Sequence, residues 1–181
     1  MAESRAASSL RRFLAIWPDE GAVLDLAQST DSLRETSPRW VRWQSPQRWH
    51  VTVMFLGARE ISQRRLTKAA SRTAAETTAT PVRLEGSGSF GAVLWVGVES
   101  GAWLGSLARL LSERLMPGSR PETFRPHLTV ARARGRALPS DQQAKLSAYR
   151  GPTWQPTSLI LVTSTLGPQP TYEIVERYPF A

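Results

Sequence analysis

The chain has 181 residues, no cysteine and a net charge of +8, and of its 23 basic side chains only Lys68 and Lys145 are lysines. That length suits one domain with a substantial core; the missing thiols exclude disulfides and thiolate metal sites; no run of 18 apolar residues offers a membrane span, and the start lacks an apolar signal-peptide core. The expectation is a soluble, cytoplasmic monomer, and the arginine excess suits phosphate and base contacts, although arginine-favouring codon usage would produce the same excess.

Residues 1–10 read as a basic, disordered leader and 11–181 as one domain. Residues 12–17 form a first strand that Pro18 ends, and Asp19 caps a helix through Val23, Leu24, Leu26 and Ala27 to about Leu33. Pro38 and Pro46 bracket a connection carrying Trp40, Trp43 and Trp49, rings that either pack the core or wall a base-binding surface. A strand over 50–56 closes at Gly57, and 62–78 has helical spacing through Leu66, Ala69, Ala70 and Ala74. Strands over 82–87 and 93–98 precede an amphipathic helix over 102–116 that Pro117-Gly118 stops. A strand from His127, a basic loop at Arg134 and Arg136, a short helix over 140–149 and strands over 157–165 and 172–178, joined across Gly167-Pro168, complete the chain. This order predicts an α+β fold with antiparallel sheets.

Only two histidines are present, and each opens the same pattern: His50-Val51-Thr52-Val53 and His127-Leu128-Thr129-Val130. With 15 threonines in the chain, chance puts a Thr two places after a given His about one time in twelve, so the repetition marks a hypothesis in need of structural context. In a strand, residues i and i+2 share a face. His50 therefore projects with Thr52, and Val51, Val53 and Phe55 project oppositely; His127 projects with Thr129, backed by Leu128 and Val130. Each His–Thr pair spans roughly 6.5–7 Å, the reach needed to hold one phosphate-sized group. Imidazole is the side chain best suited to proton transfer near neutral pH.

These paired motifs, about eighty residues apart, resemble the 2H phosphoesterase superfamily, and within it the RNA 2′,3′-cyclic phosphodiesterases, also called 2′-5′ RNA ligases. The resemblance extends to Arg12-Phe13-Leu14-Ala15-Ile16, to Trp49 through Gly57, to Val93-Leu94-Trp95-Val96-Gly97-Val98 and to Phe124 through Arg132. It reaches the tail, where Ser164 and Tyr172 flank the Gly-Pro turn. It implies a bilobal fold with a cleft between two pseudo-symmetric antiparallel sheets flanked by helices, and hydrolysis of RNA 2′,3′-cyclic ends to 2′-phosphomonoesters without metal or cofactor. It also implies that His50 is the proton donor to O3′ and His127 the acceptor from water.

Two imidazoles on opposite sides of one phosphorus can move both protons in line, and Thr52 and Thr129 can donate to its non-bridging oxygens. Arg132 is a phosphate-binding candidate from the resemblance, yet plain alternation turns it away from His127 unless a bulge intervenes. Phe13 and Phe90 are candidates for stacking on a base, with core packing as the alternative. Other readings stay open: 2′-5′ RNA ligation, a small nucleotide cyclic phosphate as substrate, and a non-catalytic RNA-binding protein. A metal bridging both histidines with Asp141 or Glu122 has no supporting spacing.

Overall fold

The computed structural model describes residues 10–57, 59–118, 123–165 and 171–181. The chain runs β1 (Leu10–Ile16), α1 (Glu20–Thr36), β2 (Val41–Trp43), a 3-10 turn (Pro46–Arg48), β3 (Val51–Gly57), α2 (Gln63–Ala75), β4 (Val82–Phe90) and β5 (Val93–Glu99). It continues through α3 (Trp103–Leu115), β6 (His127–Ala133), α4 (Ser140–Leu146), β7 (Arg150–Trp154), β8 (Ser158–Thr165) and β9 (Tyr172–Pro179). Of the expected leader over residues 1–10, residues 1–9 lie outside the described residues, as do the Gly167-Pro168 turn and Glu122, whereas Leu10 opens β1.

All strands pair antiparallel, in the order β7-β4-β5-β6-β3-β1-β8-β9, with β2 added on β6. The α+β class with antiparallel strands is as expected, and the two expected sheets are the two halves of one nine-stranded sheet. One half is β3-β1-β8-β9 and the other β7-β4-β5-β6 with β2. They meet through a single register pair, Val51 with Leu128. Each partner directly follows a histidine, so the joint between the halves is also the joint between the two motifs.

Local chemistry sets the helices. Asp19 caps α1 by accepting from the Ala22 amide at 2.8 Å, leaving Ala22, Leu26, Thr30 and Leu33 on the buried face. α2 buries Leu66, Ala69, Ala70, Thr73 and Ala74, and α3 buries Leu104, Leu107, Leu111 and Leu115, at the 3–4 residue spacing of one helix face. These two pack together behind the β3 half, whereas α1 and α4 lie behind β7 and β4. Each half is thus backed by one helix from the other's stretch of sequence, which ties the halves together. Among the described residues no helix is long and apolar enough to cross a membrane.

The main core lies between sheet and helices, and it includes Trp49 and Trp154. Trp40 and Trp43 pack against it, and the Trp43 indole N–H donates to the Ser37 hydroxyl at 2.8 Å. The tryptophans before His50 therefore serve the core rather than a base-binding wall. A second, smaller cluster of Phe13, Ala15, Ile160 and Val162, with Trp17 and Tyr172 against it, lies on the opposite, helix-free face of the β3 half. That face carries the histidines.

Candidate active site

His50 and His127 are held alike. Each Nδ1 lies 2.8 Å from the backbone carbonyl two residues upstream, of Arg48 and Arg125 respectively. A carbonyl only accepts, so each Nδ1 carries the hydrogen and donates it. Each neutral imidazole is then the tautomer with a free Nε2 lone pair. The same two arginines stack on rings: the Arg48 guanidinium is 4.8 Å from the Tyr172 centroid and that of Arg125 is 4.6 Å from Trp95. Neither is in an ion pair among the described residues, and both add positive charge beside an imidazole.

Antiparallel register brings the quartet together. Stepping one residue either way from the Val51–Leu128 pair sets His50 opposite Thr129 and Thr52 opposite His127. The expected side-by-side display of His with Thr on each strand is therefore joined by a crosswise one between strands. Both threonines are partly exposed.

Two β-bulges then change what the alternation predicts. On β6, Trp95 pairs with Thr129 but Leu94 pairs with Ala131, so Val130 is extra. On β3, Ala15 pairs with Thr52 but Leu14 pairs with Met54, so Val53 is extra. Each bulge falls on the fourth residue of a motif and shifts the alternation by one. Val130 and Ala131 are both buried and Arg132 emerges exposed; Val53 and Met54 are both buried and Phe55 emerges 65% exposed. Arg132 thus returns to the His127 face, where its charge acts on both imidazoles. Phe55 corrects the expectation from strict alternation: it pairs with Phe13, on the histidine side, at a centroid distance of 6.0 Å.

The aromatic candidates divide. Phe13 is 2% exposed and stacks on His50 at 4.9 Å, so it backs the imidazole and has no face open for a base. Trp17 also stacks on His50, at 5.2 Å, and Tyr172 meets it edge-on at 5.2 Å. Phe90 is 44% exposed and stands edge-on to His127 at 5.0 Å, with Trp95 at 6.0 Å. Gly88 makes that second arrangement possible, because a Cβ there would lie 2.1 Å from the Trp95 indole.

Burial is the largest influence on both imidazoles and disfavours the cation. It holds His50 at about 4, with Arg48, His127 and Arg132 pushing in the same direction; the Arg48 carbonyl opposes them. His127 is lowered as well, first by burial and then by Arg132 and Arg125. Three arginines therefore set positive charge around the two histidines. Among the described residues, no three His, Asp or Glu side chains are grouped to hold a metal ion, and Asp141 is paired with Lys145 on α4 at 3.2 Å. Such a set suits an anion better than a divalent cation.

Sequence reasoning missed Arg48, Arg125 and Phe55. A signal for the first two was present, because an arginine stands two places before each histidine, extending the repeated motif to Arg-x-His-x-Thr-Val.

The structure is similar to that of TT0787 of Thermus thermophilus, at 25% identity over 94% of this chain and 97% of that one, with a TM-score of 0.75. Escherichia coli LigT in its apo form matches at 22% identity over 96% and 99% of the two chains, with a TM-score of 0.72. The MHV ns2 PDE domain shares the fold at 13% identity over 92% and 99%, with a TM-score of 0.56. No curated protein matches the sequence. The 2′-5′ RNA ligase superfamily matches residues 24–167, spanning both histidine motifs and most of the chain. The chain belongs to the 2′-5′ RNA ligase superfamily.

Proposed function

We propose that this protein hydrolyses RNA 2′,3′-cyclic phosphodiester ends to 2′-phosphomonoesters, using the two imidazoles as acid and base without a metal. Superfamily membership supports phosphodiesterase- or ligase-type chemistry in general. The observation that carries the finer reading is the crosswise His–Thr quartet at the joint between β3 and β6, ringed by Arg48, Arg125 and Arg132. LigT has been crystallised with 3′-AMP and with phosphate, which fits a cationic site of this kind.

A water oxygen attacks phosphorus as its proton passes to the Nε2 of one histidine. The bond from phosphorus to O3′ breaks in line, and the other histidine gives its Nε2 proton to the departing O3′. Thr52 and Thr129 donate to the non-bridging oxygens, and Arg132 offsets their charge. Phe55 offers its open ring to the terminal base. By family similarity His50 is the donor and His127 the acceptor. The phosphodiester anion favours the charged imidazole and so offsets the burial that keeps His50 neutral in the free protein. A second reading reverses the roles, because the histidine held at about 4 is the readier acceptor before substrate arrives.

Ligation would run related chemistry in reverse. The two lysines lie on α2 and α4, away from the histidine strands, so no lysine serves there for nucleotidyl transfer. The test is a short RNA ending in a 2′,3′-cyclic phosphate, incubated with the protein and EDTA, with 2′- and 3′-phosphate products separated. A 2′-phosphate lost in both His50→Ala and His127→Ala supports the proposal. No turnover by folded protein would contradict it and favour RNA binding or another nucleotide. Joined paired ends would favour ligation.

A further inference from the structure

Another bulge, remote from the motifs, bears on how much of an RNA the protein holds. On the β8–β9 pair, Val162 is opposite Ile174 but Leu161 is opposite Glu176, so Val175 is extra. Without it, Arg177 would take the helix-covered face that Glu176 now occupies, where the Glu176 carboxylate accepts from Thr67 of α2. With it, Arg177 pairs with Ile160, a member of the cluster on the histidine face. Val175 does for Arg177 what Val130 does for Arg132.

Arg177 borders a hollow of about 240 Å³ at the end of β1, shared with Trp17, Asp19, Trp154, Gln155 and Ser158. Its volume is below the ~300–1,000 Å³ of drug-sized pockets, so it takes one nucleotide with part of it left in solvent. Trp17 belongs to both places: it stacks on His50 and walls the hollow, which therefore begins one ring away from the imidazole. Arg177 is exposed and in no ion pair among the described residues. The buried indole N–H of Trp154 has no hydrogen-bond partner among the described residues. Asp19 is the one acid on the wall among the described residues, and one of its oxygens is committed to the α1 cap. Its other oxygen can accept from a sugar hydroxyl or a base amino group.

We propose that this hollow is a second nucleotide subsite, receiving the phosphodiester and nucleoside on the 5′ side of a cyclic-phosphate end, with Arg177 on the phosphate. The proposal rests on the cyclic phosphodiesterase reading above. The chemistry of the end fixes the direction: a 2′,3′-cyclic phosphate terminates the chain, so all remaining RNA lies on its 5′ side. With the cyclic phosphate at the histidines, the neighbouring nucleotide is led past Trp17 toward Arg177. A guanidinium binds a phosphodiester through two parallel hydrogen bonds, and the partly exposed Trp17 indole offers a stacking surface. The protein would then select RNA ends over free cyclic mononucleotides.

The experiment compares kcat/KM for adenosine 2′,3′-cyclic phosphate and for an adenosine dinucleotide ending in the same cyclic phosphate. Wild-type protein and Arg177→Gln are used, with thermal melting to show that both fold. Wild type is expected to prefer the dinucleotide. Arg177→Gln is expected to cut the ratio of dinucleotide to mononucleotide about tenfold. It should also flatten the salt dependence for the dinucleotide by about 0.7 in logarithmic slope, the share of one single-strand phosphate contact. Equal efficiency on both substrates in wild type, or a preference that survives Arg177→Gln, would overturn the subsite and leave the chemistry standing. Turnover of neither substrate would overturn the chemistry, and the subsite with it.

Discussion

The two halves of the sheet present the same motif in different surroundings. Among the described residues, His50 is boxed by Phe13, Trp17 and Tyr172, whereas His127 has only Phe90 and Trp95. Five residues past each histidine, equivalent bulges expose a phenyl ring on one side, Phe55, and a guanidinium on the other, Arg132. The backbone device is common to both halves; the side chains delivered by it are not. A near-symmetric frame can thus hold an asymmetric substrate, with an aromatic wall for a base on the His50 side and charge for phosphate on the His127 side.

The largest expected effect tests what the halves share. His50→Ala and His127→Ala should each lower kcat by about 10²–10⁴-fold. The double variant should lose scarcely more than either single one, since a broken acid–base pair is already broken; single-turnover assays would check this. Losses that multiply would show that the histidines act separately. Next come the threonines: Thr52→Val and Thr129→Val should each cost up to about 10²–10³-fold in kcat, as for one lost oxyanion donor. A large loss in one alone would mean that only one motif touches the charged oxygens.

Smaller effects sharpen the asymmetry. Arg132→Gln should lower kcat/KM by about ten- to a hundredfold whatever the terminal base, as a charged hydrogen bond is worth about 1.5–3 kcal/mol. Phe55→Ala should cost about 1–3 kcal/mol on nucleotides and spare substrates lacking a base. The pH profile reports the boxes. The kcat/KM bell should have its acid limb near 4, from His50, and its maximum below 6.5, because both imidazoles are lowered. Trp17→Ala, which opens the box, should move the acid limb up toward 6.5. The linked stability has a definite sign: each histidine favours its neutral form when folded. The contribution is complete above 6.5 and is lost as pH falls, through about 4 for His50. Urea midpoints between pH 7 and 4 should show the decline in wild type and less of it in His50→Gln.

Much of this could be read before the fold was known, for physical reasons. A period of two identifies a strand and the shared face of His and Thr, and the apolar spacing of 66, 69, 70 and 74 is that of a helix. The bulges could not be read, because Val53, Val130 and Val175 are ordinary strand residues; only the partner strand shows which residue is extra. Phe55 and Arg177 depend on those bulges, and Arg132 gained its place only through one. The strands β2 and β7 escaped notice because the first has three residues and the second holds Gly151 and Pro152, which weaken a strand reading. The role of Phe13 needed the third dimension: its apolar ring fits a core or a base wall equally well in sequence, and only its stack on His50 decides.

The division of labour between the halves is the central claim, and a substrate with sulfur in place of the leaving O3′ tests it most directly. A thiolate departs without a proton, so it removes the need for an acid and leaves the need for a base. With that substrate, His50→Ala should recover most of its lost rate and His127→Ala should not. Recovery by His127→Ala instead would reverse the roles, and recovery by neither would contradict acid–base division between the two histidines.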